Sequence, residues 1–406
     1  MTEPGVRRSR RRVTVLAAVA LAGLLVAGVV AAVRLQPTRF ALVPRAEIGM
    51  DGAVLDRPDP APGAVDPAGD GKAVCALVSI AVAGPLTTAR APTGTGVRDG
   101  VRLAVDDHND ANPGCQVQLK ELDTDGADPM PPGAGLQIVD DVYTIGMIGP
   151  ASSEISDALR DALARSGLVT VAASAGTHTA PAGGRAAFFR GIAGLTAQGS
   201  AVARYLTGPA NYRRVCVADD GTPHGSGLAQ AVTTALNPSL VSCDGPQTLR
   251  DNDIDAIAES IGTAAPDAVY FGGSAAQAGE LLQRLRERGV GAALLSAAEA
   301  DGEALFGYVG EDPDGVSVAL PYGPDPGWFS DDFAAKFDSA PGDLAAVGYD
   351  LATIMLRGID AGMLTRPQMA EWIRGYDGQG VAHRYRWAAD GELTEPTVWL
   401  YDVEKR

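Results

Sequence analysis

The sequence predicts an α/β fold of two similar lobes, each built on a parallel central sheet, and three observations lead there. From Val74 onward, short apolar runs alternate with stretches whose apolar residues recur at three- and four-residue spacings, the marks of strand and helix in turn. The alternation runs to about Gly191 and restarts at Arg214, which makes two such runs. Turns rich in Gly, Ser and Ala follow the apolar runs, at the carboxyl edge where open parallel sheets bind ligands.

In order, Val74–Ala83 is apolar enough for a strand buried on both faces, and Gly94–Asn109 turns Val97, Val101, Leu103, Ala104 and Val105 to one side as a helix. Gln116–Leu122 reads as a strand, Ala134–Val142 as a helix and Thr144–Ile148 as a strand that breaks at Gly149-Pro150. A helix carries Ile155, Leu159, Ala162 and Leu163, followed by the strand Leu168–Val171 and the turn Ala172-Ala173-Ser174-Ala175-Gly176. Phe188–Gly191 is a short strand and Thr196–Leu206 a helix. The second run then has strands at Arg214–Ala218, Leu240–Cys243, Ala268–Phe271, Ala292–Leu295 and Val316–Leu320. Its helices are Gly225–Leu236, Asp253–Ile261 and Ala275–Arg288, and three more follow at Asp331–Phe337, Leu344–Gly358 and Arg366–Tyr376. A closing pair of strands is expected at Val381–Trp387 and Thr397–Tyr401.

Ahead of this body stand RRSRRR at residues 7–12 and the uncharged run Val13–Val33. At 1.5 Å per residue the run is about 31 Å long, enough to span a bilayer core. The Arg cluster before it places residues 1–12 in the cytoplasm and everything after Arg34 outside. A retained signal-anchor is the expectation, with a cleaved signal peptide as the competing reading. No Cys stands directly after the run to carry a lipid. Residues 34–71, with DRPDPAPGAVDPAGDG in their later part, read as a disordered linker.

The whole chain carries 33 basic and 50 acidic residues, a net charge of −17. The basic residues crowd toward the N-terminus, so the body is more acidic still and would repel phosphate backbones; nucleic acid is excluded as a partner. The four cysteines all lie beyond the apolar run. Cys75 and Cys115 open the first two strands of one lobe, and Cys216 and Cys243 lie in the first two of the other. Adjacent parallel strands would bring each pair together in an oxidising compartment, which is the expected pairing. Four cysteines still allow three pairings, and four buried free thiols are the alternative.

Over Val74–Tyr401 the chain resembles the type I periplasmic binding proteins of the branched-chain amino acid (leucine/isoleucine/valine-binding) branch. The resemblance is carried by GPLTTARAPTGTGVRDGVRLAVDDHN, IGPASS, VTVAASAG, FFRGIAGLTAQGSAVARYL, HGSGLAQAV, AVYFGGSAAQAGELLQRLRERG, GVSVALPY and GYDLATIML, in that order. It implies two Rossmann-like lobes joined by three crossovers, residues 72–194 with 323–377 and residues 195–322 with 378–406. It implies too that the lobes close on a small solute, an amino acid or amide-like molecule, which passes to an ABC permease, with no cofactor and no catalysis. By the same resemblance Ser153 and the turn Ala172, Ala173, Ser174 hold the ligand's carboxylate, and Glu299 pairs with its ammonium group. Thr93, His224 and Ser274 occupy places where the family carries large or aromatic residues, which implies a wider or more polar pocket. A membrane-anchored sensor or interaction module on the same clamshell is the alternative.

Rival signals are weaker. Gly94, Gly96 and Gly100 imitate a dinucleotide fingerprint, but some ten residues separate them from the preceding strand. Asp123–Asp128 lacks a twelve-residue calcium loop. His108, His178, His224 and His383 lack metal-ligand spacing, and His224-Gly225-Ser226-Gly227 is not a nucleophile elbow.

Overall fold

Strand VSIAVAG, Val78–Gly84 (β3), is buried at every position, as befits a central strand covered on both faces. The computed structural model describes residues 40–55, 63–87, 91–124, 132–150, 157–174, 176, 188–249, 254–297, 302–310 and 312–406. Before β3 come β1 (Phe40–Ile48) and β2 (Val54–Leu55). After it follow α1 (Ala91–Ala111), β4 (Val117–Asp123), α2 (Pro132–Asp140), β5 (Thr144–Ile148), α3 (Asp157–Ser166), β6 (Val169–Ala172) and β7 (Phe188–Arg190). The order in this sheet is β4-β3-β5-β6-β7, all parallel.

The second run gives α4 (Leu195–Thr207), β8 (Val215–Asp219), α5 (Pro223–Ala235), β9 (Gln247–Thr248), α6 (Ile254–Ala264), β10 (Ala268–Gly272), α7 (Ala275–Glu287), β11 (Ala293–Ala297), the short α8 (Phe306–Val309) and β12 (Val316–Leu320). Then come α9 (Gly327–Phe337), α10 (Ala345–Asp360), α11 (Arg366–Gly375), β13 (Asp377–Gln379), β14 (Arg384–Arg386) and β15 (Val398–Lys405). The larger sheet runs β2-β1-β15-β12-β11-β10-β8-β9. Strands β9, β8, β10, β11 and β12 are parallel, and β15 is antiparallel to β12. Both sheets thus reverse direction of winding next to their first parallel strand, between β3 and β5 and between β8 and β10. Such switch points open a crevice at the carboxyl ends.

Residues 42–404 form one compact unit, to which the following contacts belong; of the other unit, residues 1–41 with 405–406, only 40–41 and 405–406 are described. Helix α10 is buried over nearly its whole length and lies along α1. Added Cβ atoms on Gly96, Gly100 and Gly348 would strike the carbonyl oxygens of Asp343, Ala345 and Val97. The glycine triplet that imitates a phosphate loop is therefore a tight helix crossing within α1.

Three expectations need correction. The stretch read as disordered linker contains β1, which joins the larger sheet beside β15 and whose Glu47 and Ile48 are buried. Its partner lies about 350 residues away, so nothing local announces the pairing. Leu240–Cys243 is not a strand: a 3₁₀ turn occupies Pro238–Leu240, capped by Asn237, and only Val241 bridges to Val215. The closing strands do not pair with each other, because β14 forms a hairpin with β13 while β15 crosses to β12. Val13–Val33 lies outside the described residues; among those described, no helix is long and apolar enough to cross a membrane.

Arg366, at the start of α11, gathers the open ends of three elements. Its guanidinium donates to the carbonyls of Thr144 (2.9 Å), Ser166 (3.2 Å), Val139 (2.9 Å) and Asp141 (2.7 Å). These are the orphan acceptors at the ends of α2 and α3 and the entry to β5. Arg366→Met should lower unfolding free energy by about 2–3 kcal/mol in urea melts, since several half-buried carbonyls lose a charged donor at once. Arg366→Lys should recover less than half, because an ammonium cannot reach all of them.

Candidate functional site

The first sheet's carboxyl edge is built by tight turns. Gly149 has φ 119° and its N–H donates to the Val171 carbonyl at 2.8 Å. A side chain there would strike the Ala83 carbonyl, so only glycine lets the chain turn between β3 and β6. Asp123 accepts from the Leu86 N–H (2.9 Å) and the Thr87 hydroxyl (2.6 Å), which makes it a brace for the turn after β3.

The turn after β6 is stapled by its backbone. Ala172 and Ala173 are buried; the Ala172 carbonyl accepts from Gly191 N–H at 2.7 Å, and the Ser174 carbonyl accepts from Arg190 Nη1 at 3.2 Å. Arg190, itself buried, also holds Glu392 through Nε at 3.0 Å. Ser174 is 7% exposed, and its hydroxyl has no hydrogen-bond partner among the described residues. A hydroxyl that stays accessible on an otherwise buried residue, with unused bonding capacity, suits a polar ligand atom.

On the second sheet, two helix starts stand side by side. Thr222 caps α5 by accepting from Gly225 N–H at 3.0 Å, and Ser274 caps α7 by accepting from Gln277 N–H at 3.4 Å. Asp220 ties them: one oxygen accepts from Thr222 N–H (2.9 Å) and hydroxyl (2.6 Å), the other from Ser274 N–H (3.1 Å). Asp219, buried behind, accepts from Gly221 N–H, the Ser226 hydroxyl and the Thr248 hydroxyl at 2.8, 2.7 and 3.0 Å. A Cβ at Gly225 would meet the Gly272 carbonyl at 2.6 Å, so α5 presses directly on the end of β10.

The structure thus places Ala172, Ala173 and Ser174 together at one edge, and His224 and Ser274 at the starts of α5 and α7 on the other sheet. His224 is half-buried; the Ser274 side chain bonds within its own cap, donating to Gln277 at 2.9 Å. Ser153, Glu299 and the side chain of Thr93 lie outside the described residues. Sequence reasoning passed over Asp219, Asp220 and Arg190. The run Asp219-Asp220-Gly221-Thr222 carried a signal, since Asp, Gly and Thr together mark a side-chain-bonded turn into a helix. Arg190 carried none, because its partner Glu392 is 202 positions away.

Both expected disulfides are present, Cys75–Cys115 with Cα atoms 4.7 Å apart and Cys216–Cys243 at 5.1 Å. Of the described residues, His108, Cys115 and Asp360 are the one group of metal-ligand types whose atoms converge, and Cys115 is consumed by its disulfide. His108 Nε2 bonds instead to Asp360 at 2.8 Å and links α1 to α10.

Two doubly wound sheets with parallel cores, each with ligand-type turns at its switch edge, are the architecture of a solute-binding protein, and residues 77–406 match the periplasmic binding protein family model: the chain belongs to that family. It is a family of extracytoplasmic solute-binding proteins and not of enzymes. Among curated relatives, an amino acid binding protein of Pseudomonas aeruginosa is 26% identical over 341 residues, covering 81% of this chain and 91% of that protein. A leucine-, isoleucine-, valine-, threonine- and alanine-binding protein of the same organism is 24% identical over 344 residues, covering 78% and 92%. The branched-chain amino acid transporter substrate-binding protein LivJ of Streptococcus pneumoniae, solved with isoleucine, superposes with a TM-score of 0.66 at 18% identity, covering 82% of this chain and all of that one. At that identity the superposition speaks for the fold.

Proposed function

We propose that this protein captures a free amino acid by closure of its two lobes and delivers it to an ABC permease, held at the outer membrane face by the apolar run Val13–Val33. The observation that carries this reading is the relationship, along about four-fifths of the chain, to proteins named for binding amino acids. The unpartnered Ser174 hydroxyl, on an otherwise buried residue, supports it as a donor suited to a carboxylate together with Ser153 and the N–H groups beside it. Glu299, from the opposite lobe, pairs with the ammonium group. His224 and Ser274, in place of large rings, widen the side-chain end of the cleft, so the preferred amino acid need not be aliphatic.

The test is isothermal calorimetry of the full-length chain against a panel of amino acids, amides and small carboxylates. Full length matters because β1 belongs to the larger sheet. Glu299→Gln should weaken binding by about 2–4 kcal/mol, the cost of leaving an ammonium unpaired in a closed cleft. Ser174→Ala should cost about 1–2 kcal/mol, because backbone donors remain. Equal binding by Glu299→Gln would remove the ammonium assignment. If no member of the panel binds, the sensor or interaction module takes the place of import.

A further inference from the structure

Away from the cleft, the segment 64–68 and the faces of α1 and α9 enclose a groove of about 750 Å³. Asp66, Asp107 and Asp332 line it, with Lys336, Trp328 and Tyr349. The lysine's charge is taken up by Asp106 at 2.6 Å. Among the described residues Asp66, Asp107 and Asp332 form no ion pair, although the Lys336 charge also reaches Asp107. Tyr349 is 6% exposed and lines the groove; its hydroxyl, under the charges of Asp107, Asp66 and Asp332, has no hydrogen-bond partner among the described residues. Trp328 is 47% exposed at the rim, its ring edge-on to Tyr349 with centroids 6.5 Å apart.

We propose that this groove is a binding site for an organic cation, a guanidinium or alkylammonium group with an apolar stem. The charge asks for a cation, and the shape decides its kind. Asp66, Asp107 and Asp332 do not bring their oxygens within 4.8 Å of one another, as a bare metal ion would require. A planar or extended cation with several N–H donors can reach carboxylates set apart, and the Tyr349 hydroxyl offers a further acceptor. The Trp328 face provides both a cation–π contact and a wall for the stem. Burial pushes the Asp107 carboxyl up to about 6, the condition of a half-buried acid that an incoming cation would stabilise in its charged form. The same chemistry is offered by a free solute and by the side chain of a protein partner.

The experiment titrates the full-length chain with butylguanidinium, with its neutral analogue butylurea, and with a Gly/Ser peptide bearing one central arginine, and follows tryptophan fluorescence and calorimetric heat. Saturable binding of butylguanidinium is expected, with a fluorescence change that Trp328→Phe abolishes and with no response to butylurea. Asp107→Asn and Asp332→Asn should each weaken it at least tenfold, and Tyr349→Phe about threefold. Asp332 is exposed on α9, so its replacement leaves the fold intact and keeps the result interpretable. A peptide that binds tenfold tighter than butylguanidinium supports the site with a protein side chain as the source; equal or weaker peptide binding supports it with a free solute. No saturable binding of either cation, an equal response to butylurea, or an Asp332→Asn variant that binds like the unaltered chain would overturn the proposal.

Discussion

Replacing Cys75 and Cys115 together with alanine should lower the unfolding free energy by about 4 kcal/mol, and the same change at Cys216 and Cys243 by about 3.5 kcal/mol. The figures come from the chain entropy that each bridge removes from the unfolded state, with 40 and 27 positions between the linked residues. The larger loss falls on the unfolded state rather than on native order, because other bonds lace the same segment in place. Cys75 N–H donates to the Gly114 carbonyl at 3.2 Å, Ala73 N–H to Asn112 at 2.9 Å, and Asn112 to the Ala68 carbonyl at 2.9 Å. The variant should therefore keep its native circular dichroism while its guanidinium midpoint falls. A loss below about 1 kcal/mol would show that the reduced unfolded chain stays compact around this segment.

Asp350→Ala should cost about 3–5 kcal/mol. Asp350, on α10, is buried and accepts from the N–H groups of Val381 (2.6 Å) and Ala382 (2.8 Å) and from the Tyr385 hydroxyl (3.1 Å). Alanine would leave three buried donors without an acceptor. Those donors sit on the segment that returns from α11 toward β15. There His383 Nε2 meets the Gly191 carbonyl at 2.9 Å and Trp387 donates to the Arg190 carbonyl at 2.7 Å. Two crossings between the sheets are thus bound to each other and to α10.

The same residue makes stability depend on pH. Burial outweighs the three donors and raises the Asp350 carboxyl to about 7, against an ordinary value of 3.8. Between those values the folded chain holds a proton that the unfolded chain has released. Stability from this group is therefore full below about pH 4 and falls as pH rises toward 7, by up to about 1.4 kcal/mol per pH unit. Asp350→Asn should remove that slope. It should also cost about 1–2 kcal/mol at every pH, because an amide cannot accept from both N–H groups. Melts of the two chains from pH 4.5 to 8 that run parallel would refute the assignment.

Much of this was legible in the residues. Runs that are apolar or nearly so, such as VSIAVAG and AVYFG, mark strands covered on both faces, because they lack the alternating polar positions of a face turned to solvent. Glycine- and serine-bearing turns after them marked the ligand edge. The cysteine pairing came out as expected although only Cys216 lies in a strand: Cys75 and Cys115 sit just ahead of β3 and β4, and Cys243 follows a 3₁₀ turn. Those are local patterns, or follow from them by the rule that consecutive parallel strands lie side by side.

What only the tertiary structure decided is long-range and mostly polar. Strand β1 gains its place from β15, at the other end of the chain. Asp350 reaches a segment 31 positions on, and Arg190 one 202 positions on. The organic-cation groove draws on 64–68, α1, α9 and α10 at once. By itself the sequence determined where hydrophobic periodicity places strands and helices, since that signal is written within a few residues. Which carboxylate meets which donor depends on where the folded backbone brings them, since a hydrogen bond is decided within a few tenths of an ångström and has no period in the chain.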